Sequence, residues 1–184
     1  MLETYILGLE LDANFVLLDG AVLFLKVTDN FPCSEDDRSA TLAANFAETL
    51  QISNTRFPAR EVEAIREKLS RSLRALGFRS GVFHVEARMR NSAVRYERVD
   101  VRDGDGESPP APQPDPFLIE VNVCPPGTGG TRSTLYTYGV DLGALQLLRA
   151  LSSPLPLPGG HHPGDGGACS TEMRTAWSRC IATG

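Results

Sequence analysis

The stretch Gly81-Val82-Phe83-His84-Val85-Glu86-Ala87-Arg88-Met89-Arg90 decides the fold, because apolar and polar side chains alternate strictly along it. Successive side chains of a β-strand point to opposite faces of the sheet. One face of this stretch is therefore apolar, and the other carries His84, Glu86, Arg88 and Arg90. The alternation predicts an amphipathic strand with one face in a core and the other in water.

Further strands and helices are predicted on both sides of this stretch. The dipeptide Asp19-Gly20 separates two β-rich runs, 11–18 and 21–28, which predicts a hairpin. Apolar residues recur at helical spacing between Pro58 and Gly77 and predict a helix with a core stripe of Val62, Ile65, Leu69, Leu73 and Leu76. The remaining predictions are a helix over 39–50, a hairpin partner over 93–101, a strand over 117–123, a Gly/Pro loop over 125–132 and a helix over 140–151. Together they predict an α+β fold, an antiparallel sheet with packed helices.

Composition limits the class of protein. The chain has 184 residues, 41% of them hydrophobic, which is enough for the core of one domain. A net charge of -5 argues against a nucleic-acid partner. The apolar run 15–27 is interrupted by Asp19, Gly20 and Lys26, so we expect no membrane-spanning segment and no membrane partner. The four cysteines lack Cys-x-x-Cys spacing, which favours free thiols and a cytoplasmic location.

Proline and glycine indicate where the predicted domain ends. Only two of the 13 prolines, Pro32 and Pro58, lie before residue 109. The acidic, proline-rich residues 103–115 predict a surface loop. We expect one domain over 1–151 and a disordered Gly/Pro-rich tail over 152–184.

Three oxygen-bearing side chains predict a metal site. Glu120 and Asn122 lie two residues apart on a predicted strand and share its face, whereas Ile119 points the opposite way into apolar packing. With Glu86 they form a set of hard oxygen ligands that suits Mg²⁺. From spacing alone, ordinary polar residues on the wet faces of two strands remain an open alternative.

These residues belong to a longer pattern. The chain opens with Glu3-Thr4-Tyr5-Ile6-Leu7-Gly8-Leu9-Glu10 and later contains Leu118-Ile119-Glu120-Val121-Asn122, a Pro-Pro-Gly loop and Tyr138-Gly139-Val140-Asp141. In order and approximate spacing, residues 3–151 resemble the C-terminal half of an ATP-grasp enzyme. The carboxylate–amine ligases of that superfamily, including those that make dipeptides, are the most similar.

The resemblance implies an ATP- and Mg²⁺-dependent ligase that joins a small-molecule carboxylate to an amine through an acyl phosphate. It implies three metal ligands, namely Glu86, Glu120 and Asn122. It also implies a group of nucleotide-binding residues, in which Glu10 holds the ribose hydroxyls, Glu3 and Ile6 lie at the adenine hinge, and Ile119 lines the adenine pocket. For Ile119, an ordinary buried strand position remains an equal alternative.

The chain departs from the family pattern in two ways. Cys124 stands where the family commonly has an arginine near the reacting groups. Arg88 and Arg132 are the candidate catalytic replacements, although a solvated strand arginine is an open alternative for Arg88. The family's phosphate-binding lysines lie upstream of the hinge, and neither Lys26 nor Lys68 matches them.

These departures leave three hypotheses. The first is a ligase fragment that is weak or inactive alone. The second is a non-catalytic nucleotide- and metal-binding or regulatory module that completes a partner's site, with a second chain supplying the N-terminal half. The third is a truncated gene model of a longer active ligase.

Overall fold

A five-stranded sheet with the strand order β3-β2-β1-β4-β5 organises the protein. The computed structural model describes residues 4–36, 41, 47, 49–96, 113–152 and 181. Its strands are β1 (Leu9–Leu18), β2 (Ala21–Asn30), β3 (Gln51–Ser53), β4 (Gly81–Arg90) and β5 (Asp115–Asn122). Its α-helices are α1 (Ala59–Ala75), α2 (Thr128–Tyr138) and α3 (Leu142–Ser152), and a 3₁₀ turn covers Ser34–Asp36. The α+β fold predicted from the sequence is confirmed.

The β1–β2 hairpin forms at the predicted dipeptide. Asp19 and Gly20 have φ angles of 50° and 82°, the left-handed conformations that a tight two-residue turn requires. The amide of Gly20 donates to the carbonyl of Arg79 at 2.7 Å, and that of Asp19 to the hydroxyl of Ser80 at 2.9 Å. These bonds satisfy the turn's backbone donors, so the hairpin prediction is confirmed.

Strand β4 has the bounds that the alternation predicts, but only one of its faces behaves as expected. The apolar face is buried, at Phe83, Val85, Ala87 and Met89. The polar face is only partly open to water, because His84 and Glu86 are half-buried and Arg88 is buried, whereas the side chain of Arg90 is 42% exposed.

The predicted hairpin partner of β4 is wrong. Residues 93–96, the described part of the 93–101 segment, form no strand, and β4 lies between β1 and β5 instead. The Ser92 hydroxyl and the Ala93 amide donate to the carboxylate of Glu61 at 2.7 and 2.8 Å. The chain after β4 is therefore attached to helix α1 rather than paired along the strand.

Helix α1 confirms the predicted helix and most of its stripe. Ile65, Leu69 and Leu73 are buried. Leu76 is 59% exposed, so its assignment to the core stripe is wrong. The helix ends at Ala75, so Leu76 lies beyond its last residue, and Gly77 then turns the chain with a φ of 92°.

The predicted loop over 125–132 is also wrong, because α2 begins at Thr128. The hydroxyl of Thr131 donates to the carbonyl of Pro126, and that of Thr134 to the carbonyl of Gly130, each at 2.7 Å. These side-chain bonds support the first turns and offset the low helix propensity of the glycines. Helix α3 follows the predicted segment 140–151 closely, and its start is capped by Asp141, whose Oδ1 accepts from the Ala144 amide at 2.9 Å.

The chain divides into two compact units. The first contains Met1–Ala13, Lys26–Ser72 and Val85–Val121, and its fully buried apolar side chains include Leu11, Ile65, Val85 and Ala87. The second contains Asn14–Leu25, Leu73–His84 and Asn122–Gly184, with a core of Val16, Leu18, Val82, Val140, Leu142 and Leu145.

Several predictions fall outside the described residues. These are most of the 39–50 helix, most of the 103–115 loop and the 152–184 tail apart from Ser152 and Ile181, so the division at residue 151 stays a prediction. Cys33 and Cys124, the cysteines within the described ranges, are free thiols. No helix in the described part of the chain is both long and apolar enough to cross a membrane.

Candidate functional site

Arg88 joins three separate segments of the first unit. Its Nε and Nη2 donate to the same oxygen of Glu10, Oε2, at 3.1 and 2.6 Å. Its Nη1 donates to Oδ1 of Asp36 at 2.6 Å. The side chain is only 4% exposed. The interpretation of Arg88 as a solvated strand arginine is therefore wrong, because two carboxylates hold it in the interior.

The same guanidinium holds residues 5–10 of the predicted hinge segment, which the resemblance places over residues 3–10. Nη1 also donates to the hydroxyl of Tyr5 at 2.8 Å and to the carbonyl of Ile6 at 3.2 Å. The guanidinium carbon lies 5.0 Å from the centroid of the Tyr5 ring, a distance typical of a cation–π contact. The Tyr5 hydroxyl in turn donates to Asp36. The hinge segment is thus attached to β4 by one arginine.

The shifts in the pKa values of Asp36 and Arg88 favour the charged form of each side chain. Burial opposes ionisation of Asp36, but hydrogen bonds from Tyr5, Arg88 and the Cys33 amide outweigh it and lower the pKa of Asp36. Burial likewise disfavours the charged guanidinium, but its bonds to Asp36, Glu10 and Tyr5 raise the pKa of Arg88. Arg88 therefore stays protonated and Asp36 ionised at neutral pH.

Gly8 fixes the path of the hinge segment across β4. Its φ is +145°, and a Cβ atom there would lie 2.5 Å from the carbonyl oxygen of Met89. Only glycine allows such a close approach between two backbones. The 5–10 segment is therefore fixed both by the Arg88 side chain and by direct backbone contact.

A partly open cavity of about 200 Å³ adjoins the cluster. Its lining residues come from the hinge segment, the end of β2 and the chain after it, the 3₁₀ turn, β4 and the segment after β4, and they are Tyr5, Leu7, Gly8, Leu9, Glu10, Asn30, Pro32, Asp36, Arg88 and Tyr96. Asn30 is 2% exposed and donates from Nδ2 to Asp12 at 2.8 Å, while its Oδ1 has no hydrogen-bond partner among the described residues. The cavity thus combines aromatic rings with carboxylate and amide oxygens.

A buried polar group beside this cavity was not predicted from the sequence. Both carboxylate oxygens of Asp12 are bonded, Oδ1 by Asn30 and Oδ2 by Gln51, each at 2.8 Å. Lys26 is 2% exposed, and burial lowers its pKa although the charge of Asp12 opposes the shift. The signal was present in Asp12 and Asn14, two polar residues spaced two apart within an apolar strand.

The predicted metal ligands lie on β4 and β5, which are neighbours in the sheet. Glu86 is half-buried on β4, Glu120 is exposed on β5, and Asn122 is the last residue of β5. Within the described ranges no group of three or more His, Cys, Asp or Glu side chains could hold a metal ion. The predicted set has two carboxylates and one amide, and an asparagine does not count toward such a group, so this finding does not test the predicted set.

The other predicted site residues form no contact with Arg88 that the structure shows, or they lie outside the described residues. Ile119 is 48% exposed on the edge strand β5, so the expectation that it packs in an apolar layer is wrong. Arg132 is exposed on α2 in the second unit. Glu3 lies outside the described residues. The structure brings Ile6, Glu10 and Arg88 together, and it adds Tyr5, Asp36 and Asn30, which sequence reasoning missed.

The chain is similar to known proteins both in sequence and in fold. The chain is 35% identical to the ATP-grasp enzyme fsqD of Aspergillus fumigatus over 168 residues, which cover 84% of this chain. It is 33% identical over 105 residues to carnosine synthase 1 of Gallus gallus, covering 56% of this chain. Its fold is similar to that of an L-amino acid ligase from Bacillus licheniformis, with a TM-score of 0.57 and 21% identity over 80% of this chain and 30% of that one. The chain is ATP-grasp ligase-like.

The ATP-grasp-like chain corresponds to only part of these proteins. It spans 29% of the length of the Aspergillus fumigatus enzyme and 10% of that of carnosine synthase 1. No protein-family profile matches it. The resemblance stated from the motifs is confirmed at the level of the ATP-grasp family.

Proposed function

We propose that this chain forms part of an ATP-dependent carboxylate–amine ligase, namely the part that binds the ribose of the nucleotide and the metal ion. One observation supports the proposal above the others. Arg88 contacts Glu10 across β4 and β1, and Glu86 shares the Arg88 face of β4 because the two residues are two positions apart. The carboxylate matched to ribose binding and a carboxylate matched to metal binding therefore lie on one face of adjacent strands.

The proposed metal ligands fit Mg²⁺ by their chemistry. Glu86 and Glu120 provide carboxylate oxygens from neighbouring strands, and Asn122 provides an amide oxygen on the same face of β5 as Glu120. The side chain of Glu120 forms no hydrogen bond or ion pair with any described residue and is exposed, so its carboxylate oxygens are accessible. Mg²⁺ needs few protein ligands because substrate phosphates and water complete its octahedron. When bound, it would neutralise phosphate charge.

The proposed reaction activates a carboxylate with ATP. A carboxylate oxygen attacks the terminal phosphorus of ATP, ADP leaves, and an acyl phosphate forms. The amine then attacks the acyl carbon, phosphate leaves, and the amine loses a proton as the amide forms. The contribution of this chain is to orient the nucleotide through Glu10 and the backbone at Ile6.

One observation also favours the second hypothesis, a binding module without catalysis. Arg88, one of the two candidate catalytic arginines, already neutralises Glu10 and Asp36. Its charge is therefore not free to stabilise a phosphoryl group.

Calorimetry of the purified chain tests the proposed site. We expect ADP to bind in the presence of Mg²⁺ and to bind at least about tenfold more weakly when Glu120→Gln removes one ligand charge. Glu67→Gln, an exposed change on α1, is the matched control and retains the wild-type affinity. Absence of nucleotide binding by the wild type contradicts the proposal.

A turnover assay then separates ligase from binding module. ADP release that requires both a carboxylate and an amine supports the ligase. Nucleotide binding without such release supports the module, and release without either substrate indicates simple hydrolysis.

A further inference from the structure

We infer that Arg88 is a positioning residue, which orients the Glu10 carboxylate for nucleotide ribose and does not touch the reacting groups. The inference rests on the proposed function, because it assigns Glu10 to the ribose hydroxyls. It differs from the sequence-based prediction, in which Arg88 replaces the catalytic arginine at the position of Cys124.

The first argument is the geometry at Glu10. Two nitrogens of Arg88, Nε and Nη2, bind the single oxygen Oε2. Arg88 is the only hydrogen-bond partner of this carboxylate among the described residues. Two donors on one planar guanidinium fix the position of this oxygen and so hold the carboxylate against β4. Oε1 is then left to accept hydrogen bonds from a ligand's hydroxyl groups.

The second argument is that all three nitrogens of the Arg88 guanidinium already bind acceptors within the chain. A guanidinium has five N–H donors. Nε and Nη2 bind Glu10, and the two hydrogens of Nη1 serve three acceptors: Asp36, Tyr5 and the carbonyl of Ile6. With a side chain that is 4% exposed, Arg88 could reach a substrate only by leaving the half-buried carboxylates of Glu10 and Asp36 without a cation. Its effect on a ligand must therefore pass through Glu10 and the hinge.

The third argument is the charge of the adjoining cavity. Glu10 and Asp36 contribute two negative charges to its lining, and Arg88 contributes one positive charge. The half-neutralised wall presents acceptors, which match hydroxyl donors better than they match phosphate oxygens. Gly8 keeps the backbone of the hinge segment on β4, so this wall is already formed without a ligand.

The test compares the affinity for ATP with that for 3′-deoxy-ATP and 2′-deoxy-ATP, measured by calorimetry with Mg²⁺. We expect the wild type to prefer ATP over at least one deoxy analogue by roughly tenfold, the value of one hydrogen bond to a charged group. Glu10→Gln should reduce this preference to less than about threefold. Arg88→Lys, which keeps the charge but loses the planar fork, should reduce it to the same extent.

A double-mutant cycle identifies the route of the effect. If Arg88 acts through Glu10, Arg88→Lys adds no further loss of ribose preference in the Glu10→Gln background. Arg90→Gln changes the next arginine on the same face of β4 and is the control that keeps the wild-type preference. A general loss of structure would weaken ATP and its deoxy analogues equally, so it would not imitate the predicted result.

Folding is controlled with a charge-balanced variant. Arg88→Gln combined with Asp36→Asn removes one cation and one anion and leaves Glu10 in place. Circular dichroism verifies the fold, and loss of the ribose preference in this variant supports the inference.

The outcomes distinguish the inference from the proposed function. ATP binding in which Glu10→Gln loses the ribose preference and Arg88→Lys keeps it overturns the inference alone. A wild type that binds ATP without any ribose preference also overturns it alone. Failure of the wild type to bind ATP overturns both.

Discussion

Arg88 and Arg90 are two residues apart on one face of β4, yet their surroundings differ. Arg88 is 4% exposed and binds carboxylates on β1 and on the 3₁₀ turn. Arg90 has a side chain that is 42% exposed and pairs with Asp115 at the start of β5. Residue type, strand and face are the same, so the difference arises from which neighbouring element each arginine reaches.

The ion pairs around Arg90 are exposed to solvent, whereas those around Arg88 are enclosed. Asp115 also pairs with Lys68, whose side chain is 42% exposed, so one carboxylate serves two solvated cations. Arg90 lies over the ring of Phe117, 5.4 Å from its centroid, and its Nε has no hydrogen-bond partner among the described residues. Solvent screens such pairs, and exposed pairs contribute only about 0–1 kcal/mol. The comparison indicates that β4 carries one structural arginine and one peripheral arginine.

Replacement of each arginine by methionine gives the largest expected contrast. Arg88→Met leaves Glu10 and Asp36 without their cation, and we expect the free energy of unfolding to fall by about 3–5 kcal/mol. Arg90→Met should lower it by about 0–1 kcal/mol, because both partners are partly exposed. Urea denaturation of the two variants measures the difference, and equal losses would remove the distinction between the clusters.

A smaller loss of stability is expected when Gly8 is replaced. Gly8 lies in the hinge segment that Arg88 holds against β4. Alanine there would require a φ near +145° and would bring its Cβ against the Met89 carbonyl. We expect a loss of about 2–4 kcal/mol from backbone strain and overpacking together. Gly77→Ala is the matched control, because Gly77 has a φ of +92° with no atom near its Cβ position. It should cost only about 1 kcal/mol, and a cost at Gly8 no larger than this would contradict the close approach.

The pH dependence of stability gives the smallest expected contrast. The pKa of Asp36 is lowered in the folded chain, since hydrogen bonds from Tyr5, Arg88 and Cys33 outweigh the opposing effect of burial. A carboxyl group of this kind stabilises the fold above its ordinary pKa of 3.8, and the contribution disappears as the pH falls through the folded-state pKa. We therefore expect Asp36→Asn to reduce the loss of stability between about pH 5 and pH 2.

Asp115 provides the comparison for this titration. Its hydrogen bond to Lys68 has the largest effect and lowers its pKa, burial opposes this, and the hydrogen bond to Arg90 adds to the lowering. The sign of the pH dependence is the same, but both cations are more exposed than Arg88, so solvent screening reduces the contribution to stability. Asp115→Asn should therefore flatten the pH profile less than Asp36→Asn does. A larger effect at Asp115 would contradict the assignment of Arg88 as the structural arginine.

Patterns carried by neighbouring residues predicted much of the fold. Asp19-Gly20 specifies a turn, and the alternation of 81–90 specifies a strand, because each depends only on local backbone preferences. The pairing of β4 with β5 rather than with 93–101 was not predictable in this way. Strand pairing depends on distant contacts such as those of Glu61 with Ser92 and Ala93.

The candidate site shows the same division. The sequence motifs alone single out Glu10, Glu86 and Arg88, and the ATP-grasp likeness that they carry is confirmed. Neither the burial of Arg88 nor the participation of Tyr5, Asp36 and Asn30 follows from those motifs. Local alternation assigns a residue to a face of a strand, but it does not say whether that face is covered.

The sequence by itself determined the turn, the main strands, the long helix and the family likeness, because these follow from residue preferences and spacing along the chain. Only the tertiary structure decided that Arg88 is enclosed and Arg90 is not. Glu10 lies 78 residues before Arg88 and Asp36 lies 52 residues before it. Charges so far apart in sequence meet only after the strands have paired, and their burial then determines whether the ion pair is structural or peripheral.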